Sequence, residues 1–541
     1  MTTAVAAVTT AAAAATTEEA TRPMRLARHI LAAACACALV VPATATADAR
    51  APGDHGAADG DGDGDAVTLA DLLAAAVRRS PGLAMARADR SDGRDRVTAA
   101  GAIDEWHLFG RATGQDTAYP RELAAPGMAL ATRSVGGEVG VSRNLATGGD
   151  VSVAVATSEV DYIYPTVTAT AEVAQTGSYH VGGTVTSLRL VASQPLVRGA
   201  GDDAARADQK IQQLTGHALA AAADDEAAQQ IRQIVFAYWE LAFATSALAV
   251  DREGEQLALR QVAITREVVR AGMQPPTANE QADMQVALRR EAMLRDETTI
   301  DDESLQLRRL TGLELADAPL VPADAIEVPD DERGEAEVVA AARERGPGLA
   351  QKQLAAKTAD VQVAALDNAT RPRVDLSLTG ELSGVGADIG DAAGRIGDGE
   401  MFSLMGGITV QWDVGGAERA AAAGARVRRV RDDAEMADLD AQLAAAAMSS
   451  VHQLTRARER IALAQTAVTA AVDSLRAEVA AFQSGRSTNV AVFQRQDELS
   501  VAKLRLARAR IDAIESEAQV DYVSGELLAR HHVTVTGRRG S

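Results

Sequence analysis

The sequence predicts an α+β protein made of duplicated long antiparallel helical hairpins with β-strands set between the helices. Three observations predict it. Apolar residues recur every seven positions over long stretches, the chain matches itself half against half, and short segments alternate apolar with polar residues. Composition agrees: of 541 residues 47% are hydrophobic but only 3% aromatic, so abundant alanine replaces bulky core side chains and suits thin, closely packed helices. The formal net charge of −21 lacks the basic footprint of a nucleic-acid binder.

The N-terminus has the three parts of an export signal. Arg25 and Arg28 form a basic region, residues 30–41 form an apolar run, and Ala45-Thr46-Ala47 offers a small-x-small cleavage site before Asp48. Residues 1–47 are the expected leader, with the signal proper from about residue 24. Both cysteines, Cys35 and Cys37, lie within it, so its removal leaves no thiol for a disulfide, a metal ligand or a nucleophile. Residues 48–66 form an acidic Gly/Asp linker. A calcium loop starting at Asp59 would place Gly64 correctly but meets Ala70 where the last carboxylate belongs. No later segment is expected to cross a membrane as a helix, so a membrane form would have to be a closed β-barrel.

Two repeats follow, 67–333 and 334–530, with a tail at 531–541. Leu72-Leu73-Ala74-Ala75-Ala76 with Pro81-Gly82-Leu83-Ala84 matches Val338-Val339-Ala340-Ala341-Ala342 with Pro347-Gly348-Leu349-Ala350. Gln194-Pro195-Leu196-Val197-Arg198-Gly199 matches Gln411-Trp412-Asp413-Val414-Gly415-Gly416. Each repeat reads helix, strands, long helix, tight turn, long helix. No proline interrupts the stretch between Gly199 and Gly272, where Ile231, Ile234, Tyr238, Leu241, Thr245 and Leu248 step by three and four. Leu454, Ile461, Val468, Leu475 and Phe482 recur every seventh residue, as do Val492, Leu499, Leu506, Ala513, Val520 and Leu527 after the turn, and Val286, Met293, Ile300 and Leu307 in the first repeat. That period demands packed, supercoiling helices. A helix of some seventy residues would be roughly 105 Å long. The turns are short, with Gly272-Met273-Gln274 and Gly485-Arg486-Ser487 as exposed tips where glycine stops the helix.

The strands have one apolar and one polar face. Val374, Leu376 and Leu378 oppose Arg373, Asp375, Ser377 and Thr379; Ile408, Val410, Trp412 and Val414 oppose Thr409, Gln411 and Asp413. Segments 103–118 and 184–196 are the expected counterparts in the first repeat. Lipid outside and water inside a barrel would suit this pattern, and so would a soluble sandwich. Trp106, Phe109, Tyr162, Tyr164, Phe402 and Trp412 lie in or near strands, as interfacial girdles require. A further hairpin, 135–141 and 151–157 around the turn 146–150, has no counterpart in the second repeat. It is expected to lie outside any lipid-facing wall.

From about Val67 to Leu528 the layout resembles the TolC-like outer-membrane efflux protein family. The residues that carry the resemblance are the opening at 69–84, Gln194-Pro195-Leu196-Val197-Arg198-Gly199-Ala200-Gly201, Phe236-Ala237-Tyr238-Trp239-Glu240-Leu241 and the two glycine tips. The resemblance implies a homotrimer in the outer membrane. Each subunit would lend four strands to a shared twelve-stranded transmembrane β-barrel and its helices to a periplasmic α-barrel. It implies a passive conduit for tripartite efflux or type I secretion, meeting a periplasmic adaptor protein and an inner-membrane pump of RND or ABC type, with outer-membrane lipid around the barrel. The alternative is a periplasmic coiled-coil adaptor or scaffold without a pore; two hairpins and a duplication favour the channel.

The resemblance also supplies site residues. The tips Gly272, Met273, Gln274, Gly485, Arg486 and Ser487 match where the family meets its adaptor. The family's gate is a ring of aspartates after the second tip, where this chain has Ala491 and Gln494. Candidate pore or gate residues are therefore Glu280, Asp283, Gln494 and Asp497. His452 reads as a surface or seam residue, and Tyr238 and Trp239 as packing residues. No Ser/His/Asp set, carboxylate pair or phosphate-cradling loop points to an enzyme, and no cofactor or metal is expected.

Overall fold

A computed structural model describes residues 66–119, 128–170, 173–328 and 333–534. The expected leader, both cysteines, the Asp59 loop and the end of the tail lie outside the described residues. In chain order the elements are β1 (Ala66–Val67), α1 (Leu69–Arg79), α2 (Pro81–Gly101), β2 (His107–Ala118), β3 (Ala131–Asn144), β4 (Asp150–Thr170), β5 (Val173–Pro195), α3 (Asp202–Ala205), α4 (Ala207–Arg270) and α5 (Thr277–Thr311). There follow β6 (Val321–Pro322), α6 (Glu335–Arg345), α7 (Leu349–Ala369), β7 (Arg373–Gly386), α8 (Ile389–Ile396), β8 (Met401–Gln411), α9 (Ala417–Gln483), α10 (Asn489–Val523) and α11 (Leu527–Arg530).

The described residues divide into two compact units, one mainly of strands within 101–209 and 361–424, the other mainly of helices within 66–100, 210–360 and 425–534. In the helical unit the duplication appears as matched lengths. α1 and α6 have 11 residues each, α2 and α7 have 21, and α5 and α10 have 35. Only the long helices differ, at 64 residues for α4 and 67 for α9. Thr68 starts α1 with a capping box, accepting from Asp71 N at 3.1 Å while Asp71 accepts from Thr68 N.

The heptad positions fill the core. Ile231, Ile234, Tyr238 and Leu241 of α4 are fully enclosed with Leu307 of α5 and Ile511 of α10. Buried Tyr238 keeps its hydroxyl satisfied by donating to Asp324 at 2.7 Å, and the same carboxylate accepts from Leu69 N at 2.7 Å. Leu475, Phe482, Val492 and Leu499 form a further cluster with Leu257, Ile264 and Val268. Leu475 is thus buried between the chain's own two hairpins. By length and composition one stretch of α4 is apolar enough to cross a membrane, contrary to the expectation from sequence, but more than half of it is buried. Its apolar side chains serve the helical core.

The strand unit corrects the sequence on the neighbours of its strands. Its sheet has six strands in the order β2-β3-β4-β5-β7-β8, every pair antiparallel, and takes in both the four strands expected for a barrel and the extra hairpin. Segments 103–118 and 184–196 are not neighbours, because β3 and β4 stand between them. The extra hairpin is therefore part of the sheet. Backbone pairing is the cause: β3 bonds β2 from His107↔Ser142 to Ala118↔Ala131 and bonds β4 from Ala131↔Ile163 to Asn144↔Asp150. Thr147 holds the turn down, donating to Gln194 Oε1 at 2.7 Å and accepting at its carbonyl from Gln194 Nε2 and Gly201 N, both at 3.0 Å.

α8 lies against β7 and β5. Carbon at Cβ of Gly384 would fall 2.0 Å from Ala392 O, so only glycine permits the approach.

Leu475→Asp inserts a charge into the cluster between the hairpins. It should lower the melting temperature followed by circular dichroism by more than about 5 °C. An unchanged melt would mean that this packing is absent.

Candidate pore wall and hairpin tips

Register fixes which side chains share each face of the sheet, because directly paired residues point the same way. At two successive levels one face is apolar across all six strands, while further along the same face carries Asp116, Arg133, Glu159, Asp161 and His180. Leu108, Val141, Val153, Leu190 and Leu404 share it at one level with Gly380, and Val139, Val155, Leu188, Leu382 and Phe402 at the next with Gly110. Apart from half-buried Leu382 these large side chains stand in the open, with Phe402, Leu404, Ile408 and Val410 at 62–67% exposure.

The other face is polar. Arg189 on β5 reaches across Ala154 and Ala156 of β4 towards Glu138 on β3 at 3.9 Å and bonds Glu381 on β7 at 3.4 Å, while Arg111 stands opposite Glu138 on β2. Added carbon at Gly140 would strike Phe109 and Ala154 at 2.6 and 2.7 Å, whereas Gly137 and Gly406 on the apolar face have open space or one backbone oxygen at 3.8 Å. Away from Gly384 and Gly386, where α8 packs on the apolar face, the polar face is the more crowded one, as when a sheet curls towards it. Phe109, Tyr162 and Tyr164 occupy this polar face, and Tyr164 stacks on Tyr179 with ring centroids 5.3 Å apart. Of the aromatics expected in a lipid girdle, Phe402 alone among these four lies on the apolar side. Strand parity, invisible until register is known, separates them.

In the helical unit the two tips share one geometry. Gly272 and Gly485 have φ of 71° and 70°, in the left-handed region that closes a helix. The following amides turn back, Met273 N to Val268 O at 3.1 Å and Arg486 N to Ala481 O at 2.9 Å. Met273 and Arg486 are exposed; Gln274 and Ser487 are half-buried, and Ser487 donates to Glu478. Thr488 then caps α10.

Just behind the tips lies a buried polar joint that the sequence did not reveal. Asn489 Oδ1 accepts from Gln261 Nε2 at 2.8 Å and Thr265 Oγ1 at 3.1 Å, tying α10 to α4. Asparagine at a helix start reads as a turn residue, which hid this role. A second joint lies further along, where Arg289 donates to Asp251 at 3.2 Å and pairs with Asp497. Nearby Asp296 is pushed up to about 6 by burial and then by the Asp251 charge.

The four candidate gate residues do not converge within one chain. Glu280 is exposed on α5, and Asp283 pairs with Arg266 at 3.0 Å. Gln494 donates to Glu498 at 3.3 Å. Gln494 and Asp497 do share a groove of ≈ 1090 Å³ between α9 and α10, with Arg460, Arg505 and Arg508. His452 is exposed beside Glu335, 3.2 Å away.

A charged knot crosses α4 and α10. Arg508 bonds Glu240 at 2.7 and 2.8 Å and Asp512 at 2.6 Å, with Glu515 packed beside them. Burial, then the Glu240 charge, pushes Glu515 up to about 7. A carboxyl with a raised folded-state pKa holds its proton more tightly folded than unfolded. Its stabilising contribution is full below the unfolded pKa and lost as pH rises through about 7. Glu515→Gln should therefore gain melting temperature relative to the parent between pH 5 and pH 8, by several degrees. An equal difference at both pH values would place Glu515 in water.

No protein-family model matches the chain, and no curated protein matches it by sequence. Solved structures do. A membrane protein from Pseudomonas aeruginosa superposes with a TM-score of 0.64 at 14% identity, covering 85% of this chain and 91% of that one. The outer membrane protein VceC from Vibrio cholerae gives 0.61 at 16%, covering 84% and 96%. The CmeC outer membrane channel of Campylobacter jejuni gives 0.59 at 12%, covering 85% and 86%. With its duplicated helices, paired tips and single antiparallel sheet, the chain has the fold of the TolC-like outer-membrane channels.

Proposed function

We propose that this protein is the outer-membrane channel of a tripartite efflux or type I secretion system. Three copies form a passive conduit from the periplasm to the exterior. The observation that carries the reading is the apolar face of the six-stranded sheet, which α8 covers at Gly384 and Thr186 but which stands open at the levels of Leu188 and Leu190, backed by a polar face and bounded by β2 and β8, edges that pair with no further strand among the described residues. A soluble protein rarely leaves so broad an apolar surface in water. Lipid covers such a face, and neighbouring copies remove the edges by pairing β2 with β8, because unpaired backbone is untenable in hydrocarbon. The same face disfavours a soluble adaptor or scaffold, which has no use for it.

The helical hairpins then serve the periplasmic side. Their tips meet the adaptor, which couples the channel to an RND or ABC pump in the inner membrane. Gln494 and Asp497, sharing one groove, are the pore candidates on the second hairpin, and Glu280 and Asp283 those on the first.

Two experiments test this reading. The full chain, expressed with its leader, should fractionate with the outer membrane and migrate in mild detergent at about three times the mass of the cleaved chain, which is somewhat below the 56.2 kDa of the whole. A soluble monomer in the periplasm would overturn the proposal. Gly272→Pro combined with Gly485→Pro should abolish drug efflux while leaving the trimer in the outer membrane, because proline holds φ near −65° where the tips need about 70°. Full resistance in that double variant would separate the tips from adaptor docking.

A further inference from the structure

We infer that six strands per chain form the lipid-facing wall, so that the channel is closed by eighteen strands instead of the twelve that the duplicated strands alone would supply. The inference rests on the trimeric reading above. Duplication accounts for one pair in each repeat. β3 and β4 are an addition to the first repeat only, and they sit in the middle of the sheet, so no wall can run from β2 to β5 without them.

Both faces treat the addition as wall. On the apolar side Val139 and Val141 of β3 and Val153 and Val155 of β4 continue the levels set by Leu108, Leu188, Leu190, Phe402 and Leu404, and all are exposed as those are. A hairpin standing in water outside the barrel would have no reason to present four valines on that one side. On the polar side β4 has only Ala154 and Ala156 where Arg189 passes over it to Glu138, so the small residues of the hairpin make room for an ion pair that spans it. The turn is fastened through Thr147 to Gln194 and Gly201.

The sheet can also close. Six alternating strands leave β2 and β8 pointing in opposite directions, at 12 and 11 residues long, so β2 of one copy pairs antiparallel with β8 of the next without a parallel seam. Barrel diameter grows roughly linearly with strand number, and walls of about 16–18 strands enclose an open aqueous channel. The bore would be about half as wide again as that of a twelve-stranded wall.

Its lining carries Arg111, Arg189 and Arg373 against Glu138, Asp150, Asp375 and Glu381, so opposite charges nearly balance with one negative charge in excess per chain. The cargo class that fits is bulky solutes selected by cross-section more than by sign.

The test places single cysteines in the full chain with Cys35→Ser and Cys37→Ser. Val139→Cys and Val153→Cys report on the hairpin's apolar side, Ala156→Cys on its polar side, and Leu404→Cys on β8 as reference. Each is labelled with bimane and reconstituted in phosphatidylcholine vesicles with brominated acyl chains. Quenching at positions 139 and 153 should match that at 404 to within about 1.5-fold, while position 156 is quenched several-fold less. Quenching at 404 but not at 139 or 153 would put the hairpin outside the wall and overturn the strand count alone. No quenching at 404 would overturn the channel reading, and the inference with it.

Discussion

Unpaired strand edges constrain this protein more than any single contact. The interior strands pair on both sides along most of their length, yet β2 and β8 each leave a row of backbone donors and acceptors without a partner strand among the described residues. In water such rows invite indiscriminate pairing, and in hydrocarbon they are prohibitive. The chain cannot bend six strands into a closed ring by itself. The proposed self-association meets this constraint, and the apolar face, the polar face and the opposed directions of the two edges suit it.

The helical unit meets its own constraint differently. Alanine-rich helices pack closely but specify register weakly, since small side chains interlock little. Buried polar groups compensate. Asn489 between Gln261 and Thr265, and Arg289 between Asp251 and Asp497, can be satisfied in only one alignment of the two hairpins. Shifting one helix by a turn would strand a buried amide or a charge, at a cost of about 1–3 kcal/mol or more. These joints add less to stability than to uniqueness.

What could be read in the sequence was what is local or periodic. Leu454 to Phe482 and Val492 to Leu527 declare a helical face by spacing alone, and their buried members confirm the period. Gly272 and Gly485 announce stops because few other residues adopt their φ. The faces of β7 and β8 were legible from strict alternation. Strand order was not, because it depends on pairing between segments far apart in the chain. A run such as Val151, Val153 and Val155 looks the same on an outer edge as in the middle of a wall. Phe109 and Tyr162 were assigned to a girdle by residue type, while their parity within the strand places them on the polar face. Asn489 and Glu515 were hidden for a related reason: their partners lie on another hairpin.

The pairing of β5 with β7 has a consequence for how the protein is made. β2 to β5 form a meander whose neighbours are close in sequence, and β7 and β8 form a second, separate ribbon. Pro195 pairs with Asp375, and the whole first helical hairpin lies between them in the chain. Contacts of such long range form slowly, since a large loop must be closed before any bond rewards it. The first four strands can assemble as soon as they emerge, but the sheet stays incomplete, with β5 as a temporary edge, until the second repeat has been exported. During that interval a nascent chain exposes apolar valines and leucines with no bilayer yet engaged. The vulnerable species is therefore the half-emerged chain rather than the finished subunit, because the edge of β5 waits for β7.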